Sequence, residues 1–332
     1  MACVDVRNGS GRTALHSAIL FGHTAAAQML LQYGPDLNAR DRRGDTALHE
    51  AARAGHEELT RLLIDRKANI HTQNRENETA LHVAVASSRN GIVQLLLREN
   101  IDLEAKDYGA RTALYRAVQH ENLVLVNLLI EKGTDVHLTD GYGRSMLHIA
   151  TLAGNVGIAT MLLETGVDLS IPDHYGETAL HQAVQRSLPS LVELLLERRA
   201  DVNTPGRYGR TLLHIAAVSG YDTKVFGVIP SVHYLLVKGH RRVANLLFHT
   251  NIDLEARDVH GWTALHLAAQ HGDLTLVNAL LERKVDLRAN DSHGHVALDF
   301  AQQHNHKAIE WQLLSKLYPK TDSRLLKAST GS

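Results

Sequence analysis

The sequence predicts an all-α repeat protein, a solenoid of helix-turn-helix units joined by short β-hairpin turns. Two observations support this fold class. The tetrapeptide TALH begins at Thr13, Thr46, Thr79, Thr178 and Thr263, with near copies at Thr112, Ser145 and Thr211, and every step is 33 residues except that from 211 to 263. Between these copies, apolar residues recur at helical spacing. A short period of this kind indicates one stack of similar units.

The unit at 41–73 shows why each segment folds as it does. Its turn ends in Gly44, which can adopt positive φ. Thr46 is a good N-cap for a first helix, and the side chain of His49, three residues on, can reach back to that cap as in a capping box. Small apolar residues follow, and Gly55 ends the helix.

A second helix with a wider apolar face follows in the same unit, at Leu59, Leu62 and Leu63. Because no unit can bury these leucines alone, each unit closes its core against its neighbours. Burial of one leucine side chain is worth about 1.5–3 kcal/mol. The leucine runs at 95–97 and 194–196 are therefore predicted to be core.

This unit resembles the ankyrin repeat, whose pattern begins D-x-x-G-x-T-P-L-H-x-A-A-x-x-G-H and continues through a leucine-rich helix to G-A-D-V-N. The resemblance covers residues 8 to about 318 and implies an ankyrin-type solenoid. Alanine stands at the motif's proline in most units, and the helix is expected to persist because alanine is the best helix former. Ankyrin arrays bind unrelated targets, so the resemblance does not identify a partner.

Nine repeats are predicted, at 8–40, 41–73, 74–106, 107–139, 140–172, 173–205, 206–257, 258–290 and 291 to about 318. Asn77 replaces the turn glycine of repeat three, which is tolerable because asparagine visits left-handed conformations. In repeat four, Ala110 stands in the glycine position and Tyr115 replaces the capping histidine. In repeat six, Ser-Leu-Pro at 187–189 replaces the usual Gly-His, so an altered turn between its helices is expected.

The residues outside the repeats carry two expectations. The polar tail at 319–332 has no repeat phase and is predicted to be disordered. Residues 1–7 are interpreted as an N-terminal remnant, because Val4-Asp5-Val6 is similar to the end of a preceding repeat. Two hypotheses stay open: the array begins within a longer protein, or the first repeat caps itself.

Repeat seven contains 19 extra residues, 221–239, between its two helices. The segment is apolar, whereas functional surface loops are usually more polar. Three origins stay open. It is an unspliced in-frame intron, which Gly220 and Gly239 permit, or a binding finger, or the remnant of a helix, since 232–239 is similar to 126–133.

Composition narrows the class of protein. Lysine and arginine number 35 against 36 aspartate and glutamate, so no bulk positive field favours nucleic acid or an anionic membrane. Cys3 is the only cysteine, which fits a reducing compartment. No secretory leader is recognised, and no apolar run reaches the roughly 18 residues of a membrane span. We therefore expect an intracellular monomer in the cytoplasm, with the nucleus left open.

Catalytic and cofactor motifs are absent from the sequence, which has no GxSxG, no phosphate-binding glycine loop before a lysine and no HExxH. Seven of the 22 histidines share one repeat position and are therefore interpreted as structural. Two His-x-His pairs lie in the last repeat, at 293–295 and 304–306, and no cysteine or carboxylate is recognised at ligand spacing. We expect no catalytic residue, no cofactor and no metal.

The tips of the turns are the candidate partner-binding positions. By the family resemblance, the free positions are the two before the turn glycine and the one after it. In repeats four to eight the candidates are Tyr108, Arg111, Tyr142, Arg144, Tyr175, Tyr208, Arg210, His260 and Trp262. Tyrosine, tryptophan and arginine dominate interface hot spots, whereas the first three repeats have charged turns without aromatic residues. The tyrosines either contact a partner or pack on the neighbouring turn.

These observations predict a non-catalytic protein–protein interaction scaffold or adaptor, which binds through turn tips and concave helix faces. The alternative is the recognition or autoinhibitory segment of a larger enzyme or signalling ATPase. The lack of catalytic motifs favours the first hypothesis, and the lack of a polar first repeat keeps the second open.

Overall fold

The computed structural model describes residues 4–219 and 241–318, and these residues form paired helices with no β-strand among them. The chain divides into two compact bodies, Met1–Asp168 and Leu169–Ser332. The 19-residue segment at 221–239 and the tail at 319–332 lie outside the described residues. The prediction of an all-α ankyrin-type solenoid is confirmed.

The first body contains five helix pairs. Their bounds are α1 (Ala14–Leu20), α2 (Thr24–Gln32), α3 (Ala47–Ala54), α4 (Glu57–Asp65), α5 (Ala80–Ala86), α6 (Asn90–Leu96), α7 (Ala113–Gln119), α8 (Leu123–Glu131), α9 (Met146–Ala153) and α10 (Val156–Glu164). The first helices pack in the order α1, α3, α5, α7, α9, and each second helix packs on the first helix of its own pair.

The second body continues the same pattern. Its helices are α11 (Ala179–Gln185), α12 (Pro189–Glu197), α13 (Leu212–Ser219), α14 (241–248), α15 (Ala264–His271), α16 (Leu274–Glu282), α17 (Ala297–Gln303) and α18 (Lys307–Leu317). The first helices pack in the order α11, α13, α15, α17. A short 3₁₀ helix at Arg207–Gly209 lies before α13.

The core lies between consecutive pairs, as the apolar pattern predicts. In repeat two, Ala51 and Ala52 of α3 and Leu59 and Leu63 of α4 are all buried. The small alanines let neighbouring first helices approach closely, while the leucines fill the space beneath them. Gly55, at φ 89°, ends α3 in the left-handed conformation that glycine tolerates.

The capping box predicted at Thr46 and His49 is present. The Thr46 N–H donates to Nδ1 of His49 at 3.2 Å, and the threonine hydroxyl lies 2.9 Å from the same nitrogen. Since Nδ1 accepts, the hydrogen of the neutral ring is on Nε2, which donates to the carbonyl of Glu78 in the next repeat at 3.0 Å. The imidazole therefore closes one helix and bonds the following repeat.

The altered turn expected in repeat six is not found. Ser187 takes φ 55°, and Pro189 begins α12 one residue after the N-cap. Ser88 and Glu121 adopt the same left-handed conformation in the turns of other repeats. The expectation was wrong because backbone packing at this position imposes the turn even on residues other than glycine, at a cost of order 1 kcal/mol.

Candidate interaction surface on the turn tips

In six of the nine turns, a buried aspartate accepts two backbone hydrogen bonds and so builds the turn. Oδ1 of Asp140 accepts from the N–H groups of Tyr142 and Arg144, both at 2.9 Å. The residue two positions after the aspartate is thereby placed at the tip. Neighbouring turns are also joined through their backbones, as in the bond from the Gly141 N–H to the Gly109 carbonyl at 2.8 Å. The turns therefore present their side chains from a firm backbone.

Two tyrosines project from the turns of the first body. Tyr108 is 80% exposed and Tyr142 is 53% exposed. The guanidinium carbon of Arg144 lies 5.0 Å from the centre of the Tyr142 ring, so one face of that ring is covered by a cation. Partner contact and internal packing are thus compatible for Tyr142, because half of its surface stays open.

Arg144 is held by an internal network. Its Nη2 lies 2.7 Å from Oδ2 of Asp140 and donates to the hydroxyl of Tyr115 at 3.1 Å. The Tyr115 hydroxyl in turn donates to the same carboxylate oxygen at 3.2 Å. Burial by itself raises the pKa of Asp140, but the hydrogen bonds from Arg144 outweigh burial and leave this pKa below its usual value. Arg144 is therefore a structural cation as well as a candidate contact.

Unlike Arg144, Arg111 forms no ion pair with any residue of 4–219 or 241–318. Its guanidinium carbon lies 5.5 Å from the centre of the buried Tyr115 ring. Arg111 also lines a cavity of about 540 Å³ together with Tyr108 and Tyr142. Three of the predicted positions thus meet in one open pocket.

An arginine that the sequence reasoning missed organises the turns of the second body. Arg207 lies between Tyr175 and Tyr208, with its guanidinium carbon 5.0 Å and 4.8 Å from the two ring centres. Both rings are about half exposed. The family resemblance contains the signal, because position 207 is one of the two before the turn glycine, Gly209. The predicted arginine of these turns, Arg210, lies 3.6 Å from the carboxylate of Asp258.

The turn that carries Tyr208 is irregular. Gly206 stands where the other turns have aspartate or asparagine, so no side chain accepts the backbone hydrogen bonds of the turn. The backbone instead forms the 3₁₀ turn, and Tyr208 takes φ 61°, which is unusual for an aromatic residue. The tip of repeat seven therefore holds a strained, half-exposed aromatic side chain, a combination that clusters at functional sites.

Repeat eight contributes two further candidates with different environments. His260 is exposed. The Trp262 ring packs edge-on against Phe300 at 5.3 Å between centres, and its Nε1 donates to Oδ2 of Asp291 at 3.1 Å. The ring and the indole N–H of Trp262 are thus already engaged in contacts within the protein.

The two histidine pairs of the last repeat also differ. Nδ1 of His295 and Nδ1 of His293 lie 3.4 Å and 3.9 Å from Oδ2 of Asp291. The sequence reasoning found no carboxylate at ligand spacing, and the structure corrects that premise, because the turn aspartate supplies one. In the second pair, His306 Nε2 bonds the Gln270 carbonyl at 3.0 Å.

These features define the class of protein, which is a helical repeat protein with aromatic and basic turn tips. Among the residues that the structure describes, no helix has the length and apolar character needed to cross a membrane. Family models described as "Ankyrin repeats (3 copies)" match residues 33–107, 66–140, 92–173, 114–206, 147–236 and 232–323. A model described as "Ankyrin repeats (many copies)" matches residues 3–51. The chain belongs to the ankyrin repeat family, whose repeats are generally protein-interaction modules.

One similar solved structure is the crystal structure of the ankyrin repeat domain of Bcl-3, described as a unique member of the IkappaB protein family. It is 30% identical to this chain, with a TM-score of 0.57, and the match covers 62% of this chain and 94% of that chain. The search of curated proteins gave no match.

Proposed function

We propose that this chain is a non-catalytic scaffold or adaptor that binds a protein partner through its turn tips and concave helix faces. The observation that carries the proposal is the set of half-exposed tyrosines stacked on arginines, at Tyr142, Tyr175 and Tyr208. Tyrosine and arginine are enriched among residues that dominate binding energy. A ring already held on one face loses little conformational entropy when a partner covers the other.

The turns of the first three repeats support this assignment by contrast. They expose arginine and glutamate, as at Arg42, Arg75 and Glu76, and no aromatic side chain. Long charged side chains at an interface rim usually add little affinity, because they lose entropy and keep much of their hydration. We therefore place the main contacts in repeats four to eight and include Arg111 and Arg207, two turn arginines that form no ion pair within the described parts of the chain.

The partner is a protein, and the proposal includes no nucleic acid, membrane or cofactor. The near balance of 35 basic and 36 acidic side chains supports this choice. We further propose a monomer in the cytoplasm, with the nucleus open. Sedimentation velocity at several concentrations tests the monomer, and a concentration-dependent shift toward twice the mass would contradict it.

Affinity capture from source cells with mass spectrometry tests the proposal. One bait is the unaltered chain, and the second carries Tyr142→Ala, Tyr175→Ala and Tyr208→Ala. The control bait carries Tyr33→Ala and Tyr318→Ala, which remove tyrosines that are half exposed or more and lie at helix C-termini, away from the turn tips. Helical circular dichroism must match for all three baits.

We expect a partner that the unaltered and control baits capture and the turn-tip variant loses. Purified partner should then bind the turn-tip variant at least about 100-fold more weakly, since each of several hot-spot residues costs 1 kcal/mol or more. An unchanged set of partners with the turn-tip variant would show that these tyrosines are structural.

A further inference from the structure

We propose that Asp291, His293 and His295 form a binding site for a divalent transition-metal ion, with zinc as the best fit. The three residues lie in the turn of the last repeat, in the order Asp-x-His-x-His. One ligand atom from each residue lies within 4.8 Å of the other two. The inference does not depend on the protein-binding role.

The distances suit a zinc ion with small side-chain rotations. Oδ2 of Asp291 is 3.4 Å from His295 Nδ1 and 3.9 Å from His293 Nδ1. Zinc bonds to nitrogen and carboxylate oxygen are about 2.0–2.2 Å long, so the ligand atoms around a tetrahedral ion lie roughly 3.3 Å apart. Both imidazoles are solvent-accessible, which leaves room for an ion to enter and for water as a fourth ligand.

The backbone of the turn holds the ligands in place. Oδ1 of Asp291 accepts the N–H groups of His293 and His295, both at 2.8 Å, so this oxygen fixes the turn and leaves Oδ2 toward the imidazoles. The Trp262 indole N–H donates to Oδ2 of Asp291 at 3.1 Å and thereby orients the carboxylate. A hydrogen bond of this kind to a ligand commonly tunes a metal site.

The charge at this turn differs from that at four other turns. There the second carboxylate oxygen faces an arginine, in the pairs Asp41–Arg12, Asp107–Arg116, Asp140–Arg144 and Asp258–Arg210. The buried carboxylate of Asp291 has no lysine or arginine within 4.0 Å among the described residues, and its neighbours are an indole N–H and two imidazoles. Buried charges are ordinarily paired or bound to metals. A bound cation would supply the positive charge that arginine supplies at those four turns.

The full chain is titrated with Zn²⁺ at pH 7.5, and binding is measured by isothermal titration calorimetry. A parallel titration with Co²⁺ is measured by absorption in the visible range. A Trp311→Phe background leaves Trp262 as the single tryptophan, because the chain has two, and Cu²⁺ should quench its fluorescence. We expect one ion per chain. His293→Ala/His295→Ala should weaken binding at least about 10-fold, since it removes two of three ligands.

Two matched variants sharpen the result. His304→Ala removes one exposed histidine of the other pair and should leave binding unchanged. Asp291→Asn should weaken binding while the turn survives, because Asn74 builds the turn of repeat three with the same two backbone hydrogen bonds. No saturable binding at 100 µM Zn²⁺, or equal affinity in the unaltered and His293→Ala/His295→Ala chains, would overturn the proposal.

Discussion

Repeats two and four fill the same position with different side chains, His49 and Tyr115. His49 caps its own helix and donates to the backbone carbonyl of Glu78. Tyr115 reaches further and donates to the side chain of Asp140 instead. The difference extends to the turn tips. The histidine ring bonds a backbone carbonyl of the next turn, whereas the tyrosine hydroxyl joins the turn aspartate and Arg144 in one side-chain network.

The comparison teaches that one substitution inside a repeat can change what its surface offers. In repeat two, Arg53 is drawn toward the buried carboxylates of Asp45 and Glu50. In repeat four, Tyr108, Arg111 and Tyr142 line an open cavity, and Arg111 forms no ion pair among the described residues. The arginine of the first arrangement is paired internally, whereas Arg111 in the second is not. Four predictions test this contrast, in order of decreasing effect.

The largest expected effect is that of pH, because the histidine caps must stay neutral. Burial is the main cause that lowers the pKa of His16, His49, His82, His214 and His266. For His49, the neighbours Asp45 and Glu78 oppose this shift and Arg53 supports it. The unfolded chain therefore takes up protons first as pH falls below about 6.5.

The stability that these caps provide is complete above pH 6.5 and is lost as pH falls toward the folded-state pKa values. Each histidine protonated only in the unfolded chain lowers the free energy of unfolding by about 1.4 kcal/mol per pH unit. Urea denaturation at pH 7.5, 6.5 and 5.5 measures the loss. Hydrogen exchange should show the smallest loss of protection at the helix cap of repeat four. A urea midpoint that does not move with pH would contradict this account.

The second effect is the loss of the cation that pairs with two buried carboxylates. Arg53→Met leaves the buried carboxylate of Asp45 without its ion pair at 2.8 Å, and Glu50 keeps only Arg12. We expect the free energy of unfolding to fall by about 3 kcal/mol, the lower end for a broken buried pair, because Arg53 is itself partly exposed. Urea denaturation at pH 7.5 measures it. The exposed Arg43→Met in the same repeat is the control, and equal losses would refute the role of burial.

The third effect is that of one hydroxyl group. Tyr115→Phe keeps the ring in the core but removes the hydrogen bonds to Asp140 and Arg144. Since Arg144 still pairs with Asp140, the expected loss is only about 1 kcal/mol of unfolding free energy. A fall of less than about 0.3 kcal/mol would mean that the hydroxyl bonds water equally well in the unfolded chain.

The smallest effect is expected at the turn tip. Tyr142→Ala removes one exposed ring and its stack on Arg144. An exposed cation–π contact is worth about 0.5–1 kcal/mol, and the free energy of unfolding should fall by about 0.5 kcal/mol, the lower end of that range, because the ring is half exposed. A loss above 1.5 kcal/mol in urea denaturation would make this ring a structural element of the turn.

The sequence predicted the fold well because the period repeats each local signal. The capping by Thr46 and His49 and the burial of Leu59 and Leu63 follow from spacing within one repeat. What could not be predicted joins residues of different repeats or depends on backbone geometry. The donation from His49 Nε2 to the next repeat is one example, and the left-handed Ser187 is another.

The candidate site was predicted at the level of position rather than environment. The turn-tip positions follow from the family pattern, but that pattern does not say which arginine stacks on which ring. Arg207 was passed over, although it lies between two of the predicted tyrosines. Trp262 follows from its position directly after the turn glycine, but its bond to Asp291 depends on side-chain geometry that no spacing reveals.

The imidazole bridges give the array a direction. His181 bonds Thr204 within its own repeat, but other rings point Nε2 toward the repeat that follows, as in His16 to Asp45, His49 to Glu78 and His82 to Arg111. Such a repeat therefore completes its hydrogen bonding only when its C-terminal neighbour has formed. At Asp299 the series stops, because this carboxylate accepts the Val296 N–H at 2.8 Å and has no second ring nitrogen to satisfy. Order should therefore spread along the chain asymmetrically, with each folded repeat depending on the one after it.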